Sequence, residues 1–149
     1  MKCVEMIETE TPAAAASNQV RLPMGLLGFE SIKDYVLLAN PAEAPFAWLQ
    51  VEGNTSLAFM AFVVVDPFLV MPNYKPDIPQ PDVEFLGLKD ASDAVLLNIV
   101  TIHGPDRATV NLKGPIVINR HTHVGKQVII VNAADYSVQH PLPITETVG

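Results

Sequence analysis

The stretch from Val63 to Pro79, VVVDPFLVMPNYKPDIP, constrains the fold more than any other part of the chain. A dense apolar run meets Asp66-Pro67, turns apolar again over Phe68–Met71, and then carries prolines at 72, 76 and 79. Proline has no backbone N–H to give to a central strand, so Pro67 marks an edge, a bulge or a sharp exit from a sheet. Beyond it the chain is expected to cross the surface as a stiff, extended, partly apolar ribbon. It carries none of the nucleophiles, histidines or glycines that catalytic loops use. The ribbon reads as a surface for another protein.

Around it, runs rich in Val, Ile, Phe and Thr recur at short intervals: 35–38, 46–51, 57–65, 94–102, 109–112, 116–119 and 127–132. Gly, Pro, Asn and Asp separate them, which is the signature of a mainly β chain. Helix is scarce. The best candidate is Pro81 to Leu86, with proline in the first turn, Asp82 and Glu84 near the positive end, and Gly87 to close it. A single turn is expected near Ser92–Ala94. Leu22–Glu30, LPMGLLGFE, reads as a tight glycine turn that presents Leu26, Leu27 and Phe29 inward. Arg120–Lys126 reads as a polar hairpin loop with Gly125 supplying the turn. Short strands with little helix to cover them predict a small, single-domain, antiparallel β-barrel-like fold with one or two short helices. Residues 1–19 form its entry segment and 143–149 its tail.

At 149 residues and 49% apolar content the chain is long enough for one core and too apolar for disorder. Its longest apolar run, Leu57 to Val65, is far short of a membrane span. Glu5, Glu8 and Glu10 stand where a secretory peptide needs its apolar region, despite Ala13–Ala16 and Ser17 behind them. The single cysteine, Cys3, fits a reducing cytoplasm, where the glycosylation triplet at Asn54 means nothing. A net charge of −7 disfavours direct binding of nucleic acid and suits a basic protein partner.

Catalytic and metal-binding patterns are weak. His121 and His123 would share a face of a strand and, with His103 or His140, could hold a metal; a small metal-dependent β-barrel enzyme is the alternative reading. Against it, no carboxylate has regular ligand spacing, and Arg120 and Lys126 sit nearby. Gly125-Lys126 fails as a phosphate loop, since Arg120 and Gln127 occupy positions that need Gly and Ser or Thr. No Gly-x-Ser-x-Gly elbow is present. Neither catalytic residues nor a cofactor are expected.

Two binding signals remain. Prolines force apolar residues toward the surface at Phe68, Leu69, Met71 and Tyr74. Val63, Val65 and Phe68 are expected mainly to hold the sheet, while Tyr74 and Asp77 onward face out. Beside them, Asp77, Asp82, Glu84, Asp90 and Asp93 stand against Lys89 alone. Acidic and aromatic groups in one neighbourhood suit a basic protein.

LPMGLLGFE at 22–30, FAWLQV at 46–51, VDPFLVMPNYKPDIP at 65–79, LNIVTI at 97–102, ATVNLKGPIVIN at 108–119, GKQVII at 125–130 and YSVQHPL at 136–142 together resemble the flagellar assembly factor FliW family. The ordered series spans Leu22 to Leu142. Two features depart from the family pattern. Val4–Glu8 stands for a first strand usually built around a Phe-Gly pair, which is missing while Ala13–Ala16 replaces part of the lead-in, and His121 and His123 replace the usual polar or basic hairpin residues. The resemblance implies a cytoplasmic, non-enzymatic, β-barrel-like protein that binds flagellin and CsrA, a basic RNA-binding repressor of flagellin translation. With those partners, proline placement and charge lead to the expectation that Phe68, Met71 and Tyr74 line an apolar groove for a flagellin helix, while Asp77, Asp82 and Glu84 favour basic CsrA.

Overall fold

The computed structural model describes residues 18–53 and 55–142. Readings that fall on Cys3, Val4–Glu8, Ala13–Ala16, Asn54 and 143–149 lie outside the described residues. Among the described residues nine strands form the sheet: β1 (Gln19–Arg21), β2 (Asp34–Ala39), β3 (Phe46–Val51), β4 (Ala61–Val65), β5 (Ala94–Gly104), β6 (Arg107–Val110), β7 (Ile116–Asn119), β8 (Gly125–Gln127) and β9 (His140–Leu142). The helices among the described residues are short: α1 (Pro67–Val70) and α2 (Gln80–Leu86). A 3-10 turn at Ala91–Asp93 matches the expected single turn.

Strands β1 to β5 pair in sequence, all antiparallel. The long β5 then changes partners, meeting β7 over Ala94–Leu97 and β6 over Val100–Gly104. β9 adds to β6 and β8 to β7. The structure is mainly antiparallel β, as the sequence predicts, but among the described residues the sheet does not close into a barrel. Between β1 and the β8 side the bridge is Arg21 to Val124, too little for a ladder.

The sheet serves two apolar cores, and β5 is their common wall. Side chains alternate across a strand, so Val95 and Leu97 enter one core while Leu96 and Val100 enter the other. This double burial explains why β5 begins as an unbroken apolar run, AVLL, whereas β2 and β3 alternate buried and open positions. The first core holds Leu22, Leu26, Tyr35, Leu37, Leu49, Val64, Ile116 and Ile118. The second gathers Val65, Tyr74, Leu86, Val110, Leu112 and Val117 beneath α1 and α2.

Several sequence expectations need correction. The expected strand 57–65 starts only at Ala61. Leu57 and Met60 pack on the first core, Phe59 is 79% exposed, and the Gln50 amide donates to the carbonyls of Ala58 and Met60 at 2.6 and 2.9 Å. That side chain satisfies loop acceptors that a ladder would otherwise take. In the 22–30 turn Leu26 points inward, but Leu27 is 61% exposed. Gly25 is required there: its φ is +68°, and an added Cβ would lie 2.5 Å from the Glu30 Cα. Gly125 is not the hairpin turn. It begins β8, where a side chain would strike Ile118 and the Val117 carbonyl, and His123 takes the left-handed conformation with φ 62°. Short β1 and β9 escape a reading based on long apolar runs.

Candidate partner-binding site

Pro67 performs the sharp exit its sequence position predicts. It occupies the first turn of α1, and the Asp66 side chain caps that helix by accepting from the Phe68 N–H at 2.9 Å. Proline costs nothing at a position whose N–H has no helical partner. α1 completes one turn, and Met71 N–H closes onto the Pro67 carbonyl. The ribbon therefore begins helical rather than extended.

The chain next drives Tyr74 inward. Expected at the surface, Tyr74 is only 2% exposed. Its hydroxyl donates to the Leu112 carbonyl at 2.6 Å, its ring meets Tyr136 edge-on at 4.9 Å, and Phe68 lies 6.0 Å away. Burial pushes the phenol pKa up to about 12, because the low-polarity surroundings disfavour its charged form, with the Asn98 side chain opposing the shift. A hydrogen-bonded hydroxyl is what allows this ring to sit inside.

Beyond Tyr74 the ribbon is fastened from outside. Lys75 N–H donates to the Tyr136 hydroxyl at 3.0 Å, and Asp77 N–H donates to Asn132 Oδ1 at 2.9 Å. Asn132 Nδ2 returns a bond to the Lys75 carbonyl, and Val131 N–H donates to the Asp77 carbonyl at 2.7 Å. Prolines on both sides limit the chain entropy lost in this strap.

Between the strap, α2 and β5 lies an open, mainly apolar groove of about 880 Å³. Phe68, Tyr74, Ile78, Val83, Leu88 and Leu96 supply apolar lining, and Lys75, Asp77, Lys89 and Asp90 supply charge. Of the six residues singled out from sequence, the groove brings together Phe68, Tyr74 and Asp77. Met71 packs instead on the second core, half-buried. Asp82 and Glu84 lie on α2 and are not lining residues. Sequence reasoning misses Ile78, Val83, Leu88 and Leu96, although the apolar spacing across the Gly87 helix stop signals Val83 and Leu88.

The two α2 carboxylates differ sharply. Asp82 is largely buried and ion-paired with Lys126, whose ammonium also lies 5.7 Å from the Phe85 ring. Its charge is therefore already answered within the chain, contrary to its expected role as a free partner contact. Glu84 is exposed and accepts from the Gln80 amide. Gly87, φ +68°, ends α2 in the left-handed conformation, and Asn119 Nδ2 takes up the Leu86 carbonyl at 2.8 Å.

The histidines do not converge. His121 Nε2 lies 3.0 Å from Asp93 Oδ1, His123 Nδ1 lies 3.1 Å from the Gln19 carbonyl, and His103 Nε2 lies 2.8 Å from Thr109 Oγ1. The reason is local: residues 120–123 form a turn rather than a strand, and Asn119 Oδ1 accepts from the His121 and Thr122 N–H groups. Among the described residues no three His, Cys, Asp or Glu side chains gather as metal ligands. Asp93 is held below the usual carboxylate range, first by the Lys89 N–H and then by His121. No helix among the described residues is long and apolar enough to cross a membrane.

Fold and site together define an antiparallel β protein with two cores, the second roofed by short helices and a fastened proline strap beside an apolar groove. The profile of the FliW protein family matches residues 4–142. The flagellar assembly factor FliW of Moorella thermoacetica is 38% identical over 128 residues, covering 85% of this chain and 78% of that protein. Its counterpart in Leptospira biflexa is 41% identical over 116 residues, covering 76% and 74%. A crystal structure of the flagellar assembly factor FliW superposes with a TM-score of 0.73 at 35% identity, covering 84% of this chain and 85% of that one. The chain belongs to the FliW family.

Proposed function

We propose that this chain is a cytoplasmic, non-enzymatic flagellar assembly factor that works as a single domain and switches between two protein partners. In this reading it binds flagellin and also CsrA, and by holding CsrA it relieves repression of flagellin translation. The observation that carries the reading is family membership across nearly the whole chain, residues 4–142. The groove gives it a physical form. Apolar walls with charged groups at the margin suit an amphipathic helix that inserts alternate apolar side chains. Phe68 and Tyr74 act as walls of that groove, Tyr74 from the inside, and Met71 supports them from the second core. Flagellin is the partner assigned to the groove.

The basic partner CsrA is drawn by carboxylates that remain open to solvent. Asp77 and Glu84 meet that condition better than Asp82, which is ion-paired with Lys126. An acidic chain also speeds encounter with a basic protein, an effect that salt weakens.

Calorimetric titration of the purified chain with CsrA tests the charge assignment. Charge reversal at Glu84 together with Asp77 is expected to weaken binding about tenfold at low salt, with less effect at high salt. Unaltered affinity would remove these two carboxylates from the interface. Failure of both CsrA and flagellin to bind the unaltered chain would overturn the switch itself.

A further inference from the structure

We propose that the outward face of β2–β3–β4, centred on Trp48, is a second docking site, for a protein segment that presents an arginine or lysine beside an aliphatic side chain. Strand register puts Leu38 opposite Trp48 and Trp48 opposite Val63. These three form one cross-strand row on the face away from the first core, whose side is taken by Leu37, Leu49 and Val64. Leu38 and Trp48 remain 37% and 36% exposed, so among the described residues the centre of the row is partly open to solvent.

The indole is held in place. Trp48 Nε1 donates to Glu43 Oε1 at 3.0 Å, and Glu43 follows Asn40, whose side chain accepts from the Ala42 N–H to cap that short turn. A tryptophan face is the best aromatic surface for a cation, and a carboxylate at its edge has lone pairs left to accept from a guanidinium or ammonium. Leu38 supplies the open apolar flank, while Val63, at the other end of the row, is half-buried and packs against the second core. Farther along the same face, Glu52 accepts from Gln19, adding a second carboxylate. Arg21 is paired with Asp34 and does not reverse this balance. The charge calls for a basic occupant, and exposed Leu38 beside Trp48 calls for an aliphatic neighbour to the cation.

This face lies outside the Phe68–Tyr74 groove, and its assignment rests on neither flagellin nor CsrA. Trp48 is the chain's single tryptophan, so indole emission, excited where tyrosine does not absorb, reports this face. The full chain is titrated with a synthetic peptide of alternating leucine and arginine, with the same peptide carrying glutamate for arginine, and with an oligoarginine of equal arginine content. The leucine–arginine peptide is expected to produce a saturable blue shift. The glutamate peptide should produce none, and oligoarginine should bind about tenfold more weakly. Glu43→Lys should abolish the response with the far-ultraviolet circular dichroism unchanged, while Asp106→Lys, on the distant β5–β6 turn, should leave it intact. The assignment is overturned by no saturable shift, by equal responses to the leucine–arginine and oligoarginine peptides, or by a response that survives Glu43→Lys.

Discussion

The Tyr74 hydroxyl donates to the backbone carbonyl of Leu112 at 2.6 Å, joining the proline strap to the segment after β6 across 38 positions of sequence. Leu112 N–H in turn donates to the Ser137 carbonyl, and Tyr136 packs edge-on against Tyr74. One side chain thus sits where three distant segments meet. The groove wall it forms belongs to the second core.

Substitutions at Tyr74 are therefore expected to show first as lost stability. Tyr74→Phe removes the donor and leaves a buried carbonyl, at a cost of about 1–3 kcal/mol. Tyr74→Ala also opens a cavity and should cost about 3–5 kcal/mol. Urea unfolding measures both. A midpoint for Tyr74→Ala equal to that of the unaltered chain would mean that the ring is not a core residue.

Alkaline stability follows from the same burial. Tyr74 and Tyr35 are each pushed up to about 12 in the folded chain by desolvation, against an ordinary value of 10.0. Below the unfolded value both states keep the proton, and the full stability is present. As pH rises from about 10 toward 12 the unfolded chain loses the phenolic protons first, so stability falls through that window. Tyr74→Phe should flatten the fall, read by urea midpoints taken at several pH values. An equal decline in the variant would remove Tyr74 as a source.

Asp82 and Glu84 are two residues apart on α2 and should behave differently. Asp82→Asn leaves the partly buried Lys126 without its carboxylate and is expected to cost about 1–2 kcal/mol. Glu84→Gln, on the exposed surface, should stay within about 0.5 kcal/mol. Thermal unfolding of the two variants checks the contrast. Equal midpoints would show that the Asp82–Lys126 pair contributes nothing net.

The contrast also shows what the sequence can reveal. Strand β3 is readable to the residue because FAWLQV alternates sides, and α2 is readable because proline, acids and Gly87 mark its ends. The exit at Pro67 follows from a missing N–H. Tyr74 is different. Its burial depends on Leu112, Asn98 and Tyr136, partners that proline spacing does not announce. Asp82 likewise looks free until the β7–β8 hairpin brings Lys126 beside it. His121 and His123 suggest a shared strand face, whereas Asn119 bends that segment into a turn. Local pattern recovers elements and exits; the side-chain environment of the candidate site comes from long-range pairing.

The central claim, a switch between two partners, is tested most directly by titrating the full chain with CsrA, alone and then saturated with monomeric flagellin. The account predicts that each protein binds singly and that flagellin weakens CsrA binding about 5- to 150-fold, the range of a 1–3 kcal/mol coupling. An unchanged CsrA affinity at saturating flagellin would contradict it.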